Sequence, residues 1–199
     1  PNDTSNNDTD TDVTEMISVI NTISPLEREI NTFFNNISDE QKECMVFGWN
    51  QLKTDITNFF EANQTITTPS RDGTVYDGAL IDSSLKDFAH AAIDAHCAGG
   101  KVDFDDKVIL DSTFVANEKL KCVYDKITND NNPLFKNTVG VFIDDPEFNL
   151  TFQVGNCSST DDQCTDRNDP YNIVITFEDV NVSPVEMAQA ILHEAIHAE

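Results

Sequence analysis

The sequence predicts an α+β protein, mainly helical: a helical N-terminal part, then a small antiparallel sheet, then a final helix that carries a recognisable motif. Three observations lead there. Helix starts are marked by Ser24-Pro25-Leu26-Glu27 and Ser183-Pro184-Val185-Glu186, each with an N-cap serine, proline at the first helical position and glutamate where a capping box closes. Ser38-Asp39-Glu40-Gln41 is a third box, closed by glutamine. Past residue 144 the pattern changes: Phe148, Leu150, Phe152 and Val154 alternate with polar residues, and Ile173, Ile175 and Phe177 do so again, which is the period of half-buried strands.

Taken in order, residues 1–22 form an acidic leader. Its opening "PNDTSNNDTDTD" has no apolar residue after Pro1 and cannot bury enough surface to offset its chain entropy. Without an initiator Met or an apolar signal region, it reads as a mature product or a piece of a longer parent chain. Asp8, Asp10 and Asp12 alternate as calcium-loop ligands do, but Val13 stands where such a loop needs glycine. Residues 23–110 are expected to be a helical region, with helices near 25–36, 39–62 and 84–98, the last stopped by Gly99-Gly100. Residues 111–199 are expected to be the α+β region: a helix near 113–128, two strands, then the motif helix. Between the strands lies "GNCSSTDDQCTDRNDP", an acidic loop rich in turn formers. Its Asp161, Asp162, Asp166 and Asp169 suit calcium by type but fit no ligand template by spacing.

Composition narrows the function classes. Thirty-six acidic against 12 basic side chains leave a formal net charge of −24, a surface that repels phosphate backbones, so nucleic-acid binding is excluded. No apolar run approaches the roughly eighteen residues of a membrane span, so no direct membrane insertion is expected. A hydrophobic share of 39% with 13 Phe is enough to build a core. Five cysteines leave at least one unpaired. Cys157 and Cys164 flank the polar loop at a separation that allows a local disulfide, pointing to an oxidising compartment; Cys44, Cys97 and Cys122 read as buried free thiols.

The last helix places His193, Glu194 and His197 in the order H-E-x-x-H. At ~100° per residue the two histidines fall ~40° apart on one face. Val185, Met187, Ile191, Leu192 and Ile196 occupy an arc centred on the opposite side, so the histidines face away from the core. Two neutral imidazoles one turn apart can reach one zinc ion, and Glu194 is placed to act as general base. By chance the motif would occur somewhere in such a chain on the order of one time in two hundred. The preceding strand, 172–177, has an edge along which an extended substrate would align.

Catalytic zinc usually takes three protein ligands, and the motif supplies two. Glu199 points ~140° from the middle of the histidine face on a continuous helix. Glu186 shares that face but lies about two turns away and closes the capping box. His90 and His96, from "LKDFAHAAIDAHC", read first as structural residues. The third ligand is therefore expected beyond residue 199. Tyr171 is too poor a candidate for an oxyanion stabiliser.

The helix "ILHEAIHAE" resembles the active-site helix of zincin metallopeptidases, and the order helix, strand, strand, motif helix is similar to the core of that fold. More narrowly, "KLKCVYDKI", "NLTFQVG" and "NIVITF", followed by the motif, resemble a group of secreted or surface-associated bacterial proteins that end in a zincin-like zinc-peptidase domain. The resemblance covers roughly residues 80–199. It implies zinc at His193 and His197, catalysis by Glu194, a peptide or protein substrate, and a secreted or cell-surface location. There is no downstream glycine-histidine extension of the metzincin type and no remote glutamate helix of the gluzincin type. The expected function is thus a zinc-dependent metallopeptidase. The alternative is a non-catalytic secreted or cell-surface interaction module, an adhesin or secretion cargo, in which the motif is residual or only binds metal. Its partners would be a larger parent chain or secretion machinery.

Overall fold

The computed structural model describes residues 24–45, 49–65, 80–129, 135, 137–138, 149–157, 162–169 and 172–198. The acidic leader, with Asp8, Asp10 and Asp12, lies outside them. The described elements are seven helices and a five-stranded sheet, so the protein is mainly helical α+β.

The N-terminal helices begin where the capping boxes put them. In α1 (Pro25–Asn36) the Ser24 hydroxyl accepts a hydrogen bond from the Glu27 amide at 3.1 Å. In α2 (Asp39–Met45) the box is reciprocal: the Gln41 amide donates to Ser38 Oγ and the Ser38 amide to Gln41 Oε1, both at 3.1 Å. α3 (Trp49–Asn63) follows, so the helix expected at 39–62 is two described elements, with residues 46–48 outside the description. α4 (Ser83–Cys97) is capped by Asp82. These four helices bury Ile30, Phe33, Phe34, Leu52, Ile56, Phe59, Phe60, Leu85, Phe88 and Ile93 as one cluster.

Two findings correct the cysteine reading. Cys44 and Cys97 are not free thiols but a disulfide that ties α2 to α4, beside the hydrogen bond from Gln41 Nε2 to Asp94 Oδ1 at 2.8 Å. Cys122 is free but exposed. The Cys157–Cys164 bridge that the spacing allows is present.

After α4 the chain turns through Gly99, at φ +88°, a conformation that glycine adopts without strain. Gly100 then passes so close to the next strand that a Cβ would sit 2.5 Å from the Leu110 carbonyl oxygen. That tight crossing delivers β1 (Lys101–Asp103) and β2 (Val108–Leu110), a short hairpin inside the region expected to be helical. Three residues each are too few to display a period of two. The helix expected at 113–128 is divided into α5 (Ser112–Ala116) and α6 (Glu118–Asn129), because Asp111 caps the Phe114 amide and Asn117 caps the Leu120 amide, each at 2.9 Å.

The sheet also differs from expectation. It runs β1-β2-β3-β5-β4, where β3 is Asn149–Val154, β4 Gln163–Asp166 and β5 Asn172–Phe177. It is mixed, not antiparallel: β2 pairs with β3 and β3 with β5 in parallel, while β1 and β4 run antiparallel to their neighbours. The cause is β4, absent from the expected elements, which takes the chain back along the outer side of β5, so that β3 and β5 point the same way and pair directly. Leu150, Phe152, Ile173, Ile175 and Phe177 are buried as their alternation requires, against Phe114, Leu120 and Tyr124 and against the last helix, α7 (Pro184–Ala198). The two buried clusters meet at β2, which gives Val108 and Leu110 to one and Ile109 to the other. Among the described residues no helix is long and apolar enough to cross a membrane.

The Gly100 crossing has a testable cost. Gly100→Ala forces a methyl against two backbone carbonyls, those of Leu110 and Ala95, neither of which can swing aside. It should destabilise the protein by about 1–3 kcal/mol, read as a lower urea midpoint at unchanged denaturant slope.

Candidate metal centre

α7 starts at the reciprocal box that the sequence announces: the Ser183 amide donates to Glu186 Oε2 at 2.8 Å, and the Glu186 amide donates to Ser183 Oγ at 3.3 Å. The bond from the Ser183 backbone, then that from its side chain, holds the Glu186 carboxyl below its ordinary range, with a smaller contribution from Lys119. Lys119 in turn donates to the Val182 carbonyl, fixing the entry to the helix from α6.

The buried face of α7 is made by Met187, Ile191, Glu194, Ala195 and Ala198, packed on α6, β4 and β5. This is rotated from the expected arc. Val185 and Ile196 were expected on the core side but keep 68% and 54% of their surface exposed, and Leu192 is half-buried. The sequence weighting follows side-chain size, whereas the helix packs closely through its alanines and turns two large residues outward.

His193 and His197 are exposed, as expected. Their Nε2 atoms lie 3.0 Å apart and their rings meet edge-on, with centroids 4.5 Å apart. For metal–nitrogen bonds of about 2.1 Å, that separation corresponds to an angle of about 90° at a shared ion, and a small opening of the rings reaches the tetrahedral value. As ligands the pair fits zinc.

Glu194 is the unexpected member. It is buried, with 7% exposure, between the helix and the edge strand. The Thr165 hydroxyl, on β4, donates to Glu194 Oε2 at 2.7 Å and approaches the Glu194 carbonyl oxygen at 3.2 Å. Among the described residues no cation pairs with this carboxylate, and Oε1 has no hydrogen-bond partner. Oε1 is not sealed from solvent, so the carboxylate keeps one oxygen on water and the other on Thr165. Next along the chain, Arg167 Nη1 donates to the His197 carbonyl at 3.1 Å, so β4 and its continuation hold both ends of the motif. Sequence reasoning missed Thr165 and Arg167. "QCTD" has no apolar alternation to mark it as a strand, and only its position beside β5 brings the hydroxyl to Glu194.

The other candidates do not converge on the pair. His90 packs against the Phe33 ring at 4.8 Å, and His96 sits exposed in the last turn of α4. Glu186 is committed to its cap, and Glu199 and Tyr171 lie outside the described residues. Among the described residues no group of three His, Cys, Asp or Glu side chains could hold a metal ion. The loop acids are dispersed too: Asp166 Oδ1 accepts from the Asn168 amide and the Asp162 carbonyl from the amides of Glu178 and Asp179, while Asp161 lies outside the description. One further expectation is corrected. The 172–177 strand, β5, has no open edge, since β3 and β4 flank it; the open edge beside the motif belongs to β4.

Comparison with protein-family models, curated proteins and solved structures finds no match for this chain.

Two measurements check this geometry. Thr165→Val keeps the shape but removes the one donor to a buried carboxylate, and should cost about 1–3 kcal/mol in chemical unfolding; a loss below a few tenths would mean Glu194 is hydrated instead. At the helix start, Glu186 has its carboxyl lowered in the folded protein, so its contribution is present above the unfolded value near 4.5 and is lost as pH falls through the folded one. The protection factors of the amides in the first turn of α7 should therefore fall on acidification below 4.5, and Glu186→Gln should remove that pH dependence.

Proposed function

We propose that this chain carries a zinc-dependent peptidase centre of the zincin-like kind, in which His193 and His197 hold the ion and Glu194 is the acid–base catalyst. The observation that carries the reading is the pair of Nε2 atoms 3.0 Å apart on an exposed helix face, with a buried carboxylate at the next position. A third ligand would come from outside the described residues. Bound there, zinc would supply Lewis acidity, polarising a peptide carbonyl and making an attacking water more acidic. Glu194 takes the proton from that water through Oε1 and returns it to the leaving amine. Thr165 keeps Oε2 occupied, which orients the carboxylate for this exchange. An extended peptide adds to the open edge of β4, the strand that also carries Thr165.

Two disulfides support an oxidising, extracellular setting. The second reading, a non-catalytic interaction module that binds metal weakly or not at all, is favoured by one observation: no third ligand stands beside the histidines among the described residues.

Elemental analysis after zinc loading, together with cleavage of a peptide library, separates the two readings. Near-stoichiometric zinc is expected in this chain or in a form extended past Glu199, and should be lost in His193→Ala. Glu194→Gln should retain zinc and lose about 10²–10⁴-fold in turnover. Zinc binding without any cleavage favours the module, and failure of both forms to bind zinc overturns the metallopeptidase reading.

A further inference from the structure

α7 and β4 share one margin of the sheet, and each presents an unmet requirement there. On β4 the requirement is backbone pairing. Among the described residues this strand pairs only with β5. Because the Asp162 carbonyl accepts from the amides of Glu178 and Asp179, alternation turns the backbone groups of Gln163 and Thr165 to the open side. Such an edge is a template for another strand.

On α7 the requirement is ligands. At ~100° per residue, Glu194 lies ~80° to one side of the middle of the histidine face and Ile196 ~80° to the other. Glu194 reaches Thr165 on β4, so the exposed imidazoles look out over that same margin. Their Nε2 atoms converge to 3.0 Å, yet among the described residues no third His, Cys, Asp or Glu side chain joins them.

A second copy of this chain meets both requirements at once. In a twofold pair every residue of the interface occurs twice, so two imidazoles become four, the number of ligands that tetrahedral zinc takes. Neighbouring strands lie ~4.8 Å apart, and α7 packs on β4. Pairing the two β4 strands therefore sets the two α7 helices about two strand spacings apart, close to the 8–10 Å of packed helices. The surface that would meet its copy is suited to this. From Met187 to Ala198 the helix has no Lys, Arg or Asp, its one acid is buried, and Ile196 adds apolar surface at 54% exposure. Elsewhere the net charge of −24 opposes association, which makes the ion the deciding contribution.

We propose that zinc joins two copies of this chain across a twofold axis beside Thr165, with His193 and His197 of each copy as the four ligands and the two β4 strands paired antiparallel. The pairing rests on zinc ligation by these histidines, as the proposed function does, and not on catalysis. It also regulates that function. The second strand takes the edge offered to the peptide, and four imidazoles leave the ion no position for water. The joined form is inactive, and excess zinc, which gives each chain its own ion, releases the single chain by mass action.

Sedimentation of the whole chain through a zinc titration tests this. The chain should be monomeric in chelator, dimerise with an end point of one ion per two chains, and return towards monomer in excess zinc. His193→Ala should abolish the zinc-dependent dimer. Gln163→Pro removes an N–H that faces the open side, and Ile196→Glu brings two like charges near the axis. Each should weaken dimerisation about tenfold or more at an unchanged melting temperature and with zinc still bound. A monomer holding one ion per chain throughout would overturn the proposal and leave the peptidase reading standing. A dimer formed equally in chelator or by His193→Ala would overturn it too. No zinc uptake overturns the pairing and, if repeated in the form extended past Glu199, the peptidase reading as well. A zinc-joined dimer in a chain that cleaves nothing at any zinc level supports the pairing and counts against the peptidase.

Discussion

The parallel pairing of β3 with β5 is the constraint on which the remaining arrangement depends. Six residue pairs, from Asn149 with Asn172 to Val154 with Phe177, join the strands directly, although β4 lies between them in sequence. The chain must therefore leave β3, run out and back along the far side of β5 as β4, and only then enter β5. Everything at the motif follows from that detour. α7 leaves the end of β5 and lies across the strands, and the strand it meets at the sheet margin is the polar β4. Had β3 and β5 been joined as a hairpin, Glu194 would have faced a different neighbour and Thr165 would have been loop.

Much of this was legible in the sequence, and the reasons for the misses are physical. Caps are local chemistry, so Ser24, Ser38 and Ser183 mark helix starts that the structure reproduces within a residue. Alternation reports which side chains share a face, so it places Leu150, Phe152, Ile173 and Ile175 in the interior whatever the sheet order. Strand direction is set by the path between strands and leaves no periodic trace, and this is where the antiparallel expectation failed. β1, β2 and β4 are too short or too polar for any pattern. On α7 the helical period is enough to turn the histidines outward, but the exposure of Val185 and Ile196 depends on how Ala195 and Ala198 pack in the interior, a tertiary property.

The charge distribution gives the molecule two distinct regions. The motif end presents two exposed imidazoles, a buried acid and the exposed side chains of Val185 and Ile196. The hairpin end concentrates aspartates around a half-open cleft with an aromatic wall. The sheet runs between them, with β4 at one margin and β1 at the other. A net charge of −24 raises the local concentration of any cation near the surface.

The position of Thr165 has a consequence for how the protein breathes. Among the described residues its strand has one neighbouring strand, and a four-residue strand on a margin belongs to the part of a fold that opens before the interior does. Cys164, the adjacent residue, is bridged to Cys157, which restrains how far the strand can travel when it detaches. The group that orients Glu194 is thus mounted on a short tethered flap. The carboxylate therefore keeps this orientation only while the margin stays in place against α7.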